Sequence, residues 1–201
     1  FPKNDEESEQ ARRQIIYQEF FLYQVRLQML QRSRKTNNRG IPTLYDVDKL
    51  KGFIATLPFE LTDGQKKVVN EICRDLRKPY EMNRLLQGDV GSGKTIVAVI
   101  ALMATVLGGY QGAFMVPTEI LAEQHYRTLQ SLFEYTDVSV ALLTGSTKAK
   151  DRKELLNRLA SGDLHILIGT HALIQEDVVF ADLGLVITDE QHRFGVQQRH
   201  K

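Results

Sequence analysis

The chain has 201 residues, 42% of them hydrophobic, which is enough for one sizeable core with an additional segment. Lysine and arginine number 26 against 25 acidic residues, so composition alone does not indicate a nucleic-acid-binding protein. The single cysteine, Cys73, excludes an internal disulfide framework and suits a reducing cytoplasm. No apolar stretch approaches the roughly 18 residues of a membrane span, and the start does not resemble a signal peptide. We therefore expect a soluble intracellular protein without a membrane partner.

The first 57 residues predict a helical linker. Glycine and proline are absent from Glu6 to about Arg34, and apolar residues recur there at alternating spacings of four and three, as in a long amphipathic helix. Its apolar stripe must pack either on the core of this chain or on a domain outside it. The polar segment 31–42 predicts a loop whose basic residues either face water or contact phosphates. The stripe comprises Ile16, Phe20, Tyr23, Leu27 and Leu30, widened by Leu22, Val25 and Met29.

From Pro58 onward, alternating helical and strand patterns predict an α/β domain with a central, mainly parallel sheet flanked by helices. The strand patterns are short and continuously apolar, which suits burial on both faces of the sheet. We predict helices near 62–77, 94–107, 118–132 and 147–160, and strands near 84–87, 112–116, 138–143, 164–168 and 184–188.

A glycine-rich segment lies between the first predicted strand and the helix that begins near residue 94. It fits the pattern G-x-x-x-x-G-K-[ST], in which backbone N–H groups and a helix N-terminus cradle phosphates. Lys94 should reach the β- and γ-phosphates, and the Thr95 hydroxyl should ligate Mg²⁺. The sequence thus predicts an ATP site formed by Gly88, Asp89, Val90, Gly91, Ser92, Gly93, Lys94 and Thr95.

Two adjacent carboxylates, Asp189 and Glu190, follow the apolar run LGLVIT at 183–188. A buried strand would deliver them to the C-terminal edge of the sheet, where ligands of open α/β sheets bind. We expect Asp189 to hold Mg²⁺, commonly through water, and Glu190 to orient and help deprotonate the attacking water. Helicase-type motors bind ATP between two such domains, and only a few residues follow Glu190. We therefore expect the chain to be a piece of a longer protein, with its second motor domain elsewhere.

The chain contains Gln65, GDVGSGKT (88–95), VPTEILA (116–122), IGTH (168–171) and DEQHRFGV (189–196). Taken together, these motifs resemble the first motor domain of superfamily 2 DNA helicases, and within them the RecG family of bacterial branch-migration helicases. The similarity extends from about Pro58 to the end and implies a RecA-like P-loop domain, preceded here by the long N-terminal α-helix. Transcription-repair coupling translocases, which are near relatives, typically read Asp-Glu-Glu-Gln where this chain reads Asp-Glu-Gln-His.

The resemblance adds residues to the predicted ATP site. It implies that Gln65 reads the adenine edge, for which an amide is chemically apt. It also implies that Gln191 contacts the nucleotide, and that His192 senses the γ-phosphate. Phe59 either stacks near the base or belongs to the core. The predicted catalytic residues are Lys94, Asp189, Glu190 and His192.

Three short loops, each following a predicted strand, should lie along one rim of the sheet. Related motors use such loops to grip phosphates, because backbone N–H groups and small hydroxyls position a duplex without reading its sequence. Each motif is also an ordinary turn or cap sequence, and Thr118 alternatively caps the next helix. The predicted DNA-binding residues are Pro117, Thr118, Thr144, Gly145, Ser146, Thr170 and His171.

We therefore interpret residues 1–57 as a helical linker and residues 58–201 as the ATP- and Mg²⁺-dependent first motor domain of a DNA helicase. The resemblance implies that its parent remodels branched or forked DNA in recombination and repair, in the bacterial cytoplasm and associated with the nucleoid. A second motor domain and a junction-binding domain would belong to the same parent chain, so this piece alone should hydrolyse ATP poorly. Two alternatives are a transcription-repair coupling translocase, whose partner would be RNA polymerase, and a non-catalytic nucleotide switch.

Overall fold

The computed structural model describes residues 5–37, 40–89 and 91–189. Within these ranges, no helix is long and apolar enough to cross a membrane. The helices are α1 (Asp5–Asn37), α2 (Val47–Ala55), α3 (Asp63–Leu76), α4 (Lys94–Leu107), α5 (Glu119–Leu132) and α6 (Ala149–Ser161). The strands are β1 (Gln111–Met115), β2 (Val140–Leu143), β3 (Ile166–Gly169) and β4 (Leu183–Thr188), and a 3₁₀ helix spans His171–Ile174.

The four strands form one parallel sheet in the order β2-β3-β1-β4. The predicted parallel α/β architecture is therefore confirmed, and four of the predicted strands lie within a few residues of their observed positions. The strand predicted at 84–87 is wrong, because residues 83–89 have no regular secondary structure. A short apolar segment becomes a strand only when a neighbour pairs with its backbone, and residues 84–87 pair with none of the four strands of the described sheet.

Helices cover the sheet and supply most of its core. In α4 almost every residue from Ile96 to Thr105 is buried, as expected for a helix that is apolar on all sides. Buried side chains of α6 and the 3₁₀ helix pack with Ala113 and Met115 of β1. The prediction that the strands are buried on both faces holds for β1 and β3 but is wrong for β4, where Val186 is 55% exposed. Strand β4 lies at an edge of the described sheet, so fewer neighbours cover it.

The N-terminal region differs from the prediction in two respects. Helix α1 continues to Asn37, so the predicted loop beginning at residue 31 is wrong for residues 31–37. That stretch contains neither glycine nor proline, and the first glycine after it is Gly40. Helix α2, which was not predicted, begins after Asp46, whose carboxylate accepts hydrogen bonds from the backbone N–H groups of Asp48 and Lys49.

By their contacts, the described residues form two units. The smaller contains α1 with the residues up to Ile41 and Pro79–Met82, and the larger contains Pro42–Lys78 and the described residues from Asn83 onward. By its contacts the larger unit includes α2, whose Leu50 and Phe53 are buried. Phe53 also stacks on Phe133 with ring centroids 5.3 Å apart. In α1, the stripe residues Ile16, Phe20 and Tyr23 are each more than half exposed.

Candidate functional site

The glycine-rich loop leads directly into α4. Gly91 and Gly93 have φ angles of 80° and 75°, in the left-handed region that other residues avoid. Gly93 is the N-cap of α4 and provides no side chain to bond the first N–H groups of the helix, whereas Thr62 and Thr118 cap α3 and α5. An uncapped helix N-terminus combines unsatisfied N–H groups with the positive end of the helix dipole. The loop therefore offers a site suited to phosphate.

Lys94 folds back over the start of this loop. Its Nζ donates hydrogen bonds to the carbonyl oxygens of Gly88 at 2.8 Å and Asp89 at 2.9 Å. The N–H of Ser92 donates to the same Asp89 carbonyl at 3.1 Å. The two carbonyls use two of the three donors of the ammonium, so a phosphate that accepts from two or more of them, or from the Ser92 N–H, replaces these contacts. Val90 lies outside the described residues.

Gln65 contacts the phosphate loop from α3. Its Oε1 accepts from the N–H of Thr62 at 2.9 Å, and the Thr62 hydroxyl accepts from the N–H of Gln65, which completes a capping box. Its Nε2 donates to the carbonyl of Ser92 at 3.1 Å. The amide predicted to read adenine is thus bonded at both ends, through one of its two N–H groups and one of its two oxygen lone pairs. Phe59 is 49% exposed, so it does not belong to the core.

Asp189 follows the last residue of β4, at the carboxyl end of the sheet. Its N–H donates to the carbonyl of Met115 at 2.9 Å, which continues the pairing of β4 with β1. Its Oδ2 lies 3.1 Å from Nε2 of His125 on α5. The His125 ring also contacts Phe114, with centroids 4.7 Å apart. Glu190, Gln191 and His192 lie outside the described residues, so their predicted roles stay predictions.

The three predicted DNA-contact loops follow β1, β2 and β3, all at the carboxyl edge of the sheet. In the first, Thr118 caps α5 by accepting from the N–H of Leu121 at 3.3 Å, which is the alternative role that its sequence context left open. Pro117 precedes it and is half-buried. The Thr118 hydroxyl keeps its own proton available for donation, since capping uses only the oxygen lone pair.

A carboxylate joins the first loop to the second. Glu119 accepts from Ser146, whose N–H lies 3.3 Å from Oε1 and whose hydroxyl lies 3.0 Å from Oε2. The hydroxyls of Thr144 and Ser146 are 2.8 Å apart, and the side chain of Thr144 is buried. Gly145 between them is exposed, and a Cβ there would lie 3.3 Å from Glu119. Ser146 and Gly145 are thus accessible at this edge, whereas Thr144 supports the loop from inside.

The third loop separates its two predicted contacts. Thr170 is only 2% exposed, and its hydroxyl is buried without a hydrogen-bond partner among the described residues. His171, the first residue of the 3₁₀ helix, is exposed. Of this pair, only His171 can reach a phosphate without a rearrangement of the backbone.

Residues 62–201 match the sequence family of DEAD/DEAH box helicases. The chain belongs to this family. It is 58% identical over 200 residues to the ATP-dependent DNA helicase RecG of Bacillus subtilis (strain 168), an alignment that covers 100% of this chain and 29% of the relative. It thus spans less than a third of the length of the curated relatives that it matches.

Solved structures of helicases have a fold similar to that of this chain. The described fold is similar to that of RecG in a structure bound to a three-way DNA junction, with a TM-score of 0.86, 47% identity, and coverage of 97% of this chain and 27% of that one. The UvsW helicase of bacteriophage T4 is similar with a TM-score of 0.56 and 16% identity, covering 81% of this chain and 55% of that one, a likeness of fold alone. The predicted RecA-like helicase fold is therefore confirmed.

Membership of the DEAD/DEAH box helicases implies the use of a nucleotide. The oxygen atoms of the predicted site fit the magnesium ion that usually accompanies a bound nucleotide. Thr95 and Asp189 offer hydroxyl and carboxylate oxygens, which Mg²⁺ prefers. Among the described residues, no group of three or more His, Cys, Asp or Glu side chains could hold a metal. A nucleotide site does not require such a group, because Mg²⁺ there is held by one or two protein ligands together with phosphates and water.

Sequence reasoning missed His125 and Glu119 in this helicase domain. His125 lies three residues after Ala122 and four before Leu129, the two buried residues of α5. This helical spacing indicates that His125 faces inward, and a buried imidazole requires a partner. No comparable signal identifies Glu119, because its contact with Ser146 depends on how α5 and the loop after β2 meet in three dimensions.

The segment that leads into the phosphate loop is held to α3 by charged side chains. Arg84 donates to Asp75 through Nε at 2.5 Å and to Glu71 through Nη1 at 2.8 Å. Lys78 also donates to Asp75, at 2.6 Å. Burial would raise the pKa of Asp75, but the hydrogen bonds and charges of Lys78 and Arg84 outweigh burial and lower it below its ordinary value. These contacts fix residue 84 in a segment without regular secondary structure.

Replacing Arg84 by glutamine should lower the free energy of unfolding at pH 7 by about 1 kcal/mol, a modest value because the arginine is 37% exposed. A lowered carboxylate pKa contributes stability that is present above the unfolded-state value of about 3.9 and is lost as pH falls through the folded-state value. The difference between the two proteins should therefore shrink below about pH 4. Urea unfolding at several pH values measures it.

A matched control is Arg127→Gln, which removes a 3.9 Å pair with Glu123 whose side chains are 81% and 55% exposed. This variant should unfold like the wild type at every pH. An Arg84→Gln effect that stays constant down to pH 2 would contradict an origin in the Asp75 carboxylate.

Proposed function

We propose that this chain is the first motor domain of an ATP-dependent DNA helicase that remodels branched DNA. The observation that carries the proposal is the likeness, over 97% of the chain, to RecG in a structure bound to a three-way DNA junction. The loop geometry supports the ATP part, since the glycine-rich loop ends at the uncapped N-terminus of α4. The position of Asp189 at the carboxyl end of β4 supports a site at that edge of the sheet.

In the proposed site, the loop from Gly88 to Thr95 surrounds the phosphates of ATP. Lys94 exchanges its bonds to two loop carbonyls for bonds to the β- and γ-phosphates. The Thr95 hydroxyl and the Asp189 carboxylate hold Mg²⁺, which when bound neutralises charge that develops on the phosphates. Glu190 orients the attacking water and accepts its proton.

The remaining nucleotide contacts are proposed on the resemblance. Gln65 leaves Ser92 to bond the adenine edge, and the half-exposed ring of Phe59 is accessible for stacking near the base. Gln191 contacts the nucleotide, and His192 senses the γ-phosphate. Binding of the base would also affect the phosphate loop, because the Gln65 amide that it recruits donates to the carbonyl of Ser92 in this structure.

We propose that the loops after β1, β2 and β3 contact the phosphate backbone of DNA. The accessible groups are at Pro117, Thr118, Gly145, Ser146 and His171, while the buried Thr144 and Thr170 support them or become accessible only after a local shift. Small hydroxyls and backbone N–H groups fit this role, since they fix the position of a duplex independently of sequence.

The intact protein is proposed to be longer than this chain, because its relatives are more than three times as long. It would carry a second motor domain that completes the ATP site and a junction-binding domain, and it would act on the bacterial nucleoid in the cytoplasm. Residues 58–201 form the motor domain in this proposal, with the preceding segment linking it to the rest.

The proposal is tested with the full-length protein that contains this chain. On a synthetic three-way junction, ATP and Mg²⁺ should drive strand exchange at the branch, and a stalled RNA polymerase should stay in place. Polymerase displacement without junction conversion would identify a transcription-repair coupling translocase. Junction conversion that persists in Glu190→Gln would indicate a nucleotide switch, because that change removes the proposed general base.

In the proposed contact the Ser146 hydroxyl donates to a phosphate instead of to Glu119, so replacing Ser146 by alanine should weaken duplex binding about fivefold, the equivalent of one hydrogen bond. The loss should be the same on unrelated sequences, since phosphate contacts carry no sequence information. Fluorescence anisotropy with two duplexes of different sequence measures it in the full-length protein. The matched control is Ser131→Ala, an exposed serine at the other end of α5, which should bind like the wild type. A loss confined to one of the two duplexes would contradict a phosphate contact.

A further inference from the structure

Helix α5 presents His125 from a backbone that is fixed at both ends. At its start, Glu119 is bonded to the N–H and hydroxyl of Ser146. At its end, the buried Phe133 stacks on Phe53 of α2. Residues 119 and 125 are about 9 Å apart along the axis, so the histidine lies well inside the fixed part of the helix.

The His125 ring is held in one orientation by its surroundings. Its side chain is only 12% exposed, and its ring contacts the buried Phe114 on β1. Nε2 lies 3.1 Å from Oδ2 of Asp189. An ionised carboxylate only accepts hydrogen bonds, so a bond to it requires the histidine tautomer with the proton on Nε2. A hydrogen bond to a charged acceptor of this kind is stronger than one between neutral groups.

An aspartate carboxylate can rotate about two torsion angles, so the contacts of the Asp189 side chain determine its direction. Its backbone is fixed by the bond from its N–H to the Met115 carbonyl, but that bond does not set the direction of the carboxylate. The bond to His125 acts on the carboxylate itself, because it holds Oδ2 against a ring that packs on Phe114. Partners of this type orient metal-binding carboxylates and affect metal affinity without touching the metal.

We propose that His125 is a positioning residue that orients the Asp189 carboxylate for magnesium-dependent nucleotide binding. The inference rests on the proposed function, because it requires Asp189 to act on the metal side of the nucleotide site. His125 does not contact the nucleotide. Its removal should therefore reduce the contribution of Mg²⁺ to nucleotide affinity and leave the metal-free affinity unchanged.

The test compares the affinity of a fluorescent ATP analogue in Mg²⁺ and in EDTA, with the full-length protein. His125→Leu keeps an apolar side chain of moderate size but removes the N–H donor, and it should lower the ratio of the two affinities about tenfold. His125→Gln retains a donor of similar reach and should keep the ratio within about twofold of the wild type. An unchanged ratio in His125→Leu, or equal losses in Mg²⁺ and EDTA, would overturn the proposal.

A matched control is His165→Leu. His165 is also half-buried, but it lies just before β3, at the opposite edge of the sheet, where its Nδ1 accepts from the N–H of Ser139 at 3.0 Å. Loss of this imidazole should leave the ratio unchanged. If His125→Leu does not fold, His125→Gln and His125→Asn are compared, since the shorter amide cannot span the distance to Asp189. A lower ratio in the asparagine variant supports the proposal, and equal ratios overturn it.

Asp189→Asn separates this inference from the function on which it rests. If Asp189→Asn removes the effect of Mg²⁺ and His125→Leu does not, the metal role of Asp189 stands and the positioning role of His125 fails. If Asp189→Asn leaves the effect of Mg²⁺ intact, the proposed metal site itself is wrong, and the positioning role fails with it.

Discussion

Replacing Lys94 by alanine in the full-length protein should reduce ATP hydrolysis at least about a hundredfold. The side chain is the one cation of the glycine-rich motif, and in the proposed site its ammonium binds the oxygens on which charge develops during phosphoryl transfer. Steady-state ATPase assays with and without forked DNA measure the loss. Lys94→Arg should also be strongly impaired, because the broader guanidinium cannot occupy the position of a compact ammonium.

The fold should be unaffected by the Lys94→Ala change. Among the described residues, the ammonium bonds only two carbonyls of an exposed loop, so the melting temperature should stay close to that of the wild type. Lys51→Ala, an exposed lysine of α2, is the matched control for loss of a positive charge and should keep full activity. DNA-stimulated hydrolysis that survives Lys94→Ala would place the ATP site elsewhere.

ATP hydrolysis by the 201-residue chain alone is a second test of the proposed ATP site. If a second motor domain completes the site, this chain alone should hydrolyse ATP at a rate close to background, even with forked DNA. Turnover that is stimulated by DNA and depends on Lys94 would mean that the chain completes a site alone or by self-association.

The parts predicted best from the sequence are those that local interactions determine. Helix α3 begins within a residue of its predicted start, because the capping box of Thr62 and Gln65 is encoded within four residues. Helix α4 and the glycine loop before it were predicted from a motif whose geometry lies within the motif itself. Helix α5 begins at the Thr118 cap in the same way.

The parts that were missed depend on neighbours that are distant in sequence. Residues 84–87 have an apolar pattern but no partner strand, and Arg84 instead pairs with Asp75 on α3. The exposure of Val186 follows from the position of β4 at the edge of the described sheet, which periodicity does not encode. The contact between His125 and Asp189 joins residues 64 positions apart.

A single methyl group at Gly169 should destabilise the larger unit by about 2 to 3 kcal/mol. A Cβ at this position would collide with the backbone carbonyl oxygen of Leu143 on β2 and with the side chain of Leu173. Gly169 and Leu143 are paired in the β2–β3 register, so neither backbone can move without opening the pairing. For a protein of this size, Gly169→Ala should lower the melting temperature by about 4 to 12 °C.

Gly52→Ala is the matched control, because the same methyl group at this position in α2 has no atom within 4 Å among the described residues outside its own chain neighbours and helix backbone. There alanine should raise the free energy of unfolding by about 0.5 to 1 kcal/mol, since glycine is the poorer helix former. Calorimetry on the three proteins compares the two changes directly. Equal melting temperatures for Gly169→Ala and the wild type would contradict the observed pairing of β2 with β3.

Gly169→Ala also tests whether the loops after β2 and β3 contact DNA separately from the ATP site. Gly169 immediately precedes Thr170 and His171, and its partner Leu143 immediately precedes Thr144. Displacing these two strand ends should therefore weaken DNA binding by the full-length protein at a temperature where the variant is still folded. Nucleotide affinity should change less, because the phosphate loop precedes α4 and Asp189 follows β4, on the far side of β1. If nucleotide and DNA affinities fell together, the loops after β2 and β3 would not act separately from the ATP site.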